Sequence, residues 1–431
     1  MNTAPESVLV VGGGLAGFHT ASALRRAGYA GALTVLGAEP HPAYDRPPLS
    51  KAYLTGTIGV TDLALDDPDD PLDAEWVRGA CAASLDPYSR AVRTEDGRAY
   101  AADVIVLATG SHAARLGPAL PGTHVLRTLD DAEALRGDGV ARRRVAVVGG
   151  GFVALEAAAA AVALGAGAVT VVSPESHPLR RAFGPEVAQS LKALHERNGV
   201  GFVDGARATG FVADPSGRVG GVALADGTVV AADLAIAGVG AAPATGWLAS
   251  SGVSLGPTGA VLCDASGWTG IDGVWAVGDC AQWHPEAFGV ADLFARPSAA
   301  RRSGHWQDAV DHAAATAATI LGHEPPPTPV PYCWSEQHGV TIQVAGQPVG
   351  DEHVTVRAGS IAGGDLLVTY ERDGEETAVL GMNRLREVTR WRRSRVHRRP
   401  APASDEPAVP CEPAVSDGPA HCALPQKENA A

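Results

Sequence analysis

The residues best suited to chemistry in this chain are glycines. VLVVGGGLAG sets Gly12, Gly14 and Gly17 in the spacing GxGxxG, and VAVVGGGFVALE sets Gly149, Gly151 and Ala154 in the spacing GxGxxA. In such a loop the first glycine permits a tight turn, the second lets backbone approach a pyrophosphate, and the third lets helix and strand pack closely. Free N–H groups at the helix start then meet the phosphate charge. Two such loops imply two dinucleotides, one resident and one exchanging. Glu39, past the strand that follows the first loop, is suited to accept from ribose hydroxyls. The equivalent place after the second loop holds Ser173, with Glu175 two residues on and within reach of a return, and with His177, Arg180 and Arg181 beyond. Serine does not repel a 2′-phosphate as an acid would, and the basic residues attract one. The second loop is therefore read as a nicotinamide site for NADH or NADPH.

These loops need strands before them and helices after them. Residues 8–11 read as a short buried strand, 15–27 as a helix ended by Gly28, and 33–36 as a second strand, which makes a βαβ unit. DVIVLATG (103–110) is a further strand running into a glycine turn. The pattern then repeats, with a strand at 144–148, a helix at 152–164 closed by Gly165, a strand at 169–172, and ADLAIAGVG (232–240) echoing DVIVLATG. GVWAVGD (273–279) follows, then an Ala-rich helix at 304–321 and the Pro-rich linker HEPPPTPVP (323–331). Segments 341–344, 353–356, 366–370 and 378–382 alternate like antiparallel strands, and 383–391 reads as a closing helix. From about Val396 the chain turns to Pro, Ala and charge, a composition expected to be disordered.

Composition narrows the function classes. A chain of 431 residues exceeds one ordinary core, so two or three domains are expected. The net charge of −14 argues against nucleic-acid binding over the whole surface. No apolar run reaches membrane-spanning length, and the N-terminus carries no signal-peptide pattern, so a cytoplasmic protein without a membrane partner is expected. Six cysteines are scattered with no CxxC pair and no metal-ligand spacing, so reduced thiols and no metal site are expected.

PHPAYDRPPLSKAYLTG (40–56), ATGS (108–111), VWAVGDCA (274–281), HWQDA and PYCWSEQ stand in an order that resembles the FAD-dependent pyridine nucleotide reductases, in particular the ferredoxin and rubredoxin reductases that supply oxygenases. The resemblance runs from about Val8 to Arg393. It implies an α/β fold of two Rossmann-like domains, glutathione-reductase-like, with a small C-terminal α/β domain. The FAD domain would be split over 1–117 and 242–323, the NAD(P)H domain would take 118–241 and the C-terminal domain 324–395, with a tail at 396–431.

By the same resemblance the first glycine loop holds FAD, with Arg46, Ala108, Thr109, Gly110, Arg115 and Arg127 near it and Asp279 on the ribityl chain. Lys51 lies beside the flavin's reactive nitrogen, where a cation stabilises the anionic reduced form. Glu156 matches a glutamate near the nicotinamide and within reach of that lysine. Trp306 and Trp334 match aromatics near the flavin and the docking face, and Arg181 matches an arginine also found in NADH-using members. Where the family often has an acid two residues before the tryptophan of HWQDA, this chain has Gly304.

The implied activity is hydride transfer from NAD(P)H to FAD, then single-electron transfer to a ferredoxin that serves an oxygenase. Disulfide reduction is not expected, because YDRPPLSKAYL contains no cysteine and Cys280 reads as a small packed residue. Two other readings stay open: an NAD(P)H oxidase or reductase of a quinone or small molecule, and a redox-responsive interaction protein of the apoptosis-inducing-factor type. A ferredoxin partner calls for a local basic patch. The run RLREVTRWRRSRVHRR, opened by Arg384 and closed by Arg399, is the candidate, with Arg301 and Arg302 as contributors; a solvated helix end explains the run equally well.

Overall fold

The computed structural model describes residues 4–283 and 304–396, apart from 328, 349, 351 and 362. The expectation of a disordered tail, the arginines beyond Val396, and Arg301 and Arg302 therefore lie outside the described residues.

Three five-stranded sheets organise the chain. In the first, Ser7–Val11 pairs in parallel with Ala32–Gly37 on one side and Val104–Leu107 on the other, and Glu75–Arg78 and Val274–Ala276 form the edges. Val8 to Val11 are all buried, as a strand covered on both faces requires. Helix α1 (Leu15–Arg26) buries Ala16, Ala21 and Leu24 against this sheet.

The second sheet repeats the arrangement. Its order is Val200–Asp204, Ala168–Ser173, Arg144–Val148, Leu234–Ala237 and Thr123–His124, all parallel. Helix α2 (Leu129–Asp138) is capped by Thr128, whose side chain accepts from the Asp131 N–H. Helix α3 (Phe152–Ala163) follows the second glycine loop, and its alanines 154, 157, 158, 160 and 161 are buried. The 3-10 turn Pro47–Ser50 and the segment after it contribute Leu49, Tyr53 and Leu54 to the same core, so Lys51 is carried on a support packed beside α3.

The third sheet is antiparallel, ordered Tyr332–Gln337, Val340–Gly346, Glu375–Met382, Asp365–Arg372 and His353–Ser360. Its first two strands are joined by His338 and Gly339 at φ 51° and 75°, a two-residue turn of the kind that matches strand twist. Its core is shared: Phe183, Val187, Leu191 and Leu194 of helix α4 (Arg180–Arg197) pack among Ile342, Val344, Leu366 and Leu380. Helix α5 (Trp306–Ile320) packs on the first sheet's core through Ala309, Ala317 and Ile320. Helix α6 (Leu385–Val396) closes the third sheet through Val388. Among the described residues no helix is long and apolar enough to cross a membrane.

The inner strands Ser7–Val11, Ala32–Gly37, Arg144–Val148 and Ala168–Ser173 and the helices after both glycine loops lie within a residue or two of where the sequence places them, and Val104–Leu107 and Leu234–Ala237 fall inside the segments read as strands, whereas the parallel strands Glu75–Arg78, Val200–Asp204 and Thr123–His124 were not anticipated. Not anticipated were the antiparallel ribbons Ala82–Asp86, Ala91–Thr94, Ala99–Ala101 and Ala208–Ala213, Val219–Leu224, Val229–Ala231, nor the strand Tyr332–Gln337.

Candidate active site

A cavity of about 780 Å³ lies between the sheets. Its wall takes Gly12 and Gly14 from the first loop, Pro47, Leu49, Ser50 and Lys51, Ala108 to Gly110, Asp279, Gly151 to Val153 with Glu156, and Trp306 and Trp334. That volume is ordinary for a large cofactor. Gly12 has φ 127°, and a Cβ there would lie 2.1 Å from the Ala108 carbonyl oxygen, so only glycine allows the loop to close over that strand end. Gly17 does not line the cavity; its Cβ would lie 1.8 Å from the Gly12 oxygen, so its role is to let α1 pack.

Two polar knots shape the wall. Arg46 Nη2 lies 2.5 Å from Glu39 Oε1, the Tyr44 hydroxyl donates to Glu39 Oε2 at 2.5 Å, and Arg46 Nη1 donates to the Tyr44 oxygen and to the Arg127 carbonyl. Burial, and then the Glu39 carboxylate, hold the Tyr44 phenol well above its ordinary value, so it stays a donor. Arg127 Nη2 in turn donates to Asp279 Oδ2 at 2.7 Å, and the Ser111 hydroxyl donates to the same oxygen at 2.8 Å. Trp76 and Trp247 line the cavity, and their indole nitrogens are buried without a hydrogen-bond partner. A dinucleotide, with its phosphates and hydroxyls, fits a wall that offers Arg46 and Lys51 together with the carboxylates of Glu39 and Asp279. Arg115, by contrast, is exposed and outside the cavity wall.

The Lys51–Glu156 pair lies in the same cavity wall. Lys51 Nζ lies 2.8 Å from Glu156 Oε2, and the side chains are only 13% and 5% exposed. Ser50 donates to the same Oε2 at 2.5 Å, and Ser335 donates to Oε1 at 2.5 Å. Neither serine was singled out from the sequence, because their partner lies 106 and 179 residues away. Trp306 donates its indole N–H to Asp45 Oδ1 at 2.7 Å and meets Trp334 edge-on, with ring centroids 5.9 Å apart. Tyr332 stacks on Trp334, and Arg392 of α6 lies over Tyr332.

At the second loop, Gly149 has φ 122° and a Cβ there would lie 2.2 Å from the Gly238 carbonyl oxygen. Ala154 is accepted at the third position because its neighbour is Gly238: a Cβ on Gly238 would lie 2.8 Å from the Ala154 Cβ. Ser173 is 1% exposed and its hydroxyl accepts the Glu175 N–H at 3.2 Å. Glu175 is turned to the start of α4, where its carboxylate accepts the Arg181 N–H at 3.2 Å and lies 3.7 Å from Arg181 Nε. Arg180 donates to Ser176 at 3.0 Å, and both arginines are exposed. Gly149, Ala154, Ser173, Arg180 and Arg181 lie outside the cavity wall, which Gly151 and Glu156 reach.

The thiols are not prepared for redox work. Cys280 is fully buried, directs its sulfur to the Leu107 and Val277 carbonyls, and is pushed up by burial. Cys333, in the cavity wall, is pushed up to about 12 by burial.

The profile of the pyridine nucleotide-disulphide oxidoreductase family matches residues 6–313, and that of the reductase C-terminal family matches 332–409. A ferredoxin–NAD(P)+ reductase of Sphingomonas sp is 34% identical over 90% of this chain and 92% of the relative. The ferredoxin reductase component of a chlorobenzene dioxygenase from Cupriavidus sp. is 35% identical over 87% and 89%. Among solved structures, the covalent putidaredoxin reductase–putidaredoxin complex matches with a TM-score of 0.84 at 30% identity, covering 91% of this chain and 93% of that one. With the two glycine loops, the shared cavity and these matches in hand, the chain belongs to the pyridine nucleotide-disulphide oxidoreductase family and carries in addition a reductase C-terminal domain.

Proposed function

We propose that this protein is an NAD(P)H-dependent ferredoxin reductase: it takes hydride from NADH or NADPH onto bound FAD and passes single electrons to a ferredoxin that serves an oxygenase. The observation that carries the reading is the buried Lys51–Glu156 pair, set between two dinucleotide loops in a cavity whose one lining thiol besides Cys81 is held protonated. The relatives' names, all reductases of ferredoxin-dependent systems among those cited above, support the choice of acceptor.

Bound FAD supplies the conversion of a two-electron donor into one-electron steps. The chain holds and tunes it. Gly12, Gly14 and the start of α1 take the pyrophosphate; Glu39, set by Arg46 and Tyr44, takes the ribose; Asp279, set by Arg127 and Ser111, takes the ribityl chain. Ala108, Thr109 and Gly110 form the adjoining backbone wall, and Trp306 and Trp334 close it. Lys51 places its charge at the ring, while Glu156 fixes Lys51 and faces the incoming nicotinamide. Gly149, Gly151 and Ala154 receive the donor, with Ser173, Arg180 and Arg181 about its adenosine ribose. In this reading residues 1–117 and 242–323 form the FAD unit, 118–241 the NAD(P)H unit and 324–395 the C-terminal unit, and the protein works in the cytoplasm, where NAD(P)H is made. The exposed arginines of α6 form the docking face.

Purified protein is expected to be yellow, to retain FAD, and to reduce a ferredoxin-coupled cytochrome with NAD(P)H. A colourless protein, or oxygen consumption indifferent to added ferredoxin, would remove this reading.

A further inference from the structure

Behind Glu156 runs a buried line of side chains that the reaction as described does not use. Ser335, Gln337 and His195 are each no more than 1% exposed, and they connect Glu156 to the half-buried His338. The Gln337 amide nitrogen donates to Ser335 Oγ at 2.9 Å, and Ser335 Oγ donates to Glu156 Oε1 at 2.5 Å. Gln337 therefore turns its oxygen to His195 Nε2, 2.9 Å away, so that nitrogen must carry a proton. His195 Nδ1 is then an acceptor, and His338 Nε2, 3.0 Å off, donates to it. Burial brings the His195 pKa down to about 4, which keeps the ring neutral and this assignment single. Every bond in the line donates toward the carboxylate.

Such a line relays orientation and not protons, because the Gln337 amide would have to become an imidic acid to pass one on. Its effect is positional. With Oε1 fixed by Ser335, the carboxylate keeps Oε2 on Lys51 and Ser50. The line arises from alternation in Tyr332–Gln337, which turns Ser335 and Gln337 inward together, and from the φ of 51° that places His338 at the hairpin turn.

We propose that Ser335, backed by Gln337, His195 and His338, is a positioning residue for Glu156: a donor chain from the third sheet that holds the carboxylate in the orientation the Lys51 pair needs for hydride transfer. The proposal rests on the reductase reading for its kinetic part and on the hydrogen-bond geometry alone for its direction.

The test uses the full chain with FAD bound, Ser335→Ala, and the same change in a Glu156→Ala background. Stopped-flow reduction of the flavin by NADH or NADPH should slow about tenfold in S335A, with the donor's Kd changed less than about twofold, since a hydrogen bond to a charged group is at stake. In E156A the further S335A change should cost less than about twofold. In 15N-histidine spectra of wild type, His195 should appear neutral and protonated at Nε2, and its signal should shift in S335A. A wild-type rate in S335A, an undiminished loss in the E156A background, or a His195 protonated at Nδ1 would overturn the proposal. The spectra can be recorded on FAD-free protein, so failure to bind flavin would count against the reductase reading while the direction of the chain is still decided.

Discussion

Ser173 ends its strand almost fully buried, its hydroxyl occupied by the Glu175 N–H, while Glu175 itself is held by Arg181 at the start of α4. The acid two residues beyond Ser173 is thus engaged away from the place where a ribose-binding acid would stand. Its pairing depends on Leu179 at φ 60°, which turns the chain into α4, and no sequence pattern marks that turn. The loss of the acid at residue 173 was legible; the engagement of Glu175 was not. Ser173→Glu should raise the NADH-to-NADPH ratio of kcat/KM at least about tenfold, because an acid accepts from ribose hydroxyls and repels a 2′-phosphate. An unchanged ratio would assign the choice of donor to other residues.

Between elements, the two glycine loops differ at one position for a reason that lies outside either motif. At the first loop a Cβ on Gly17 would meet the Gly12 oxygen at 1.8 Å, whereas Ala154 rests against Gly238, which has no side chain to offer. Gly17→Ala should therefore lift α1 from its sheet, costing about 1–3 kcal/mol and releasing FAD, as read by thermal unfolding and flavin content. Ala154→Gly should cost about 1 kcal/mol through helix propensity and leave the donor's Kd within about threefold. The motifs, the inner strands of the first two sheets and the helices after the two glycine loops were legible because their apolar residues follow the period of the element. The strand Tyr332–Gln337 was not, since Cys333, Ser335 and Gln337 point inward while Tyr332 and Trp334 are only half-buried, the reverse of the usual alternation. The inward polar face that hid the strand is the one that reaches Glu156.

For the molecule as a whole, the net charge of −14 is met by local arginines on α6 and just before it that are not equivalent. Arg384 pairs with Asp365 and Glu387, Arg395 with Glu375 and Glu376, and Arg392 covers Tyr332. Arg386, Arg390 and Arg393 are exposed. The run was visible in the sequence, but its division into engaged and outward-facing members depends on which face of α6 meets the third sheet. Reversing those three to Glu should slow ferredoxin reduction about tenfold at low salt and less at high salt, with flavin reduction by NAD(P)H unchanged, measured by stopped flow across ionic strength. Equal losses in both steps would point to a folding defect instead of a docking face.

Glu156 sits on α3 of the second sheet, is gripped by Lys51 and Ser50 from the separate segment packed into the same core, and by Ser335 from the third sheet. That arrangement limits how far the chain can be treated as a set of interchangeable modules. A chimera that imports a relative's C-terminal segment without a hydroxyl at position 335 would fold around an incomplete joint, so recombination among such reductases should succeed only where the junction travels with its partners.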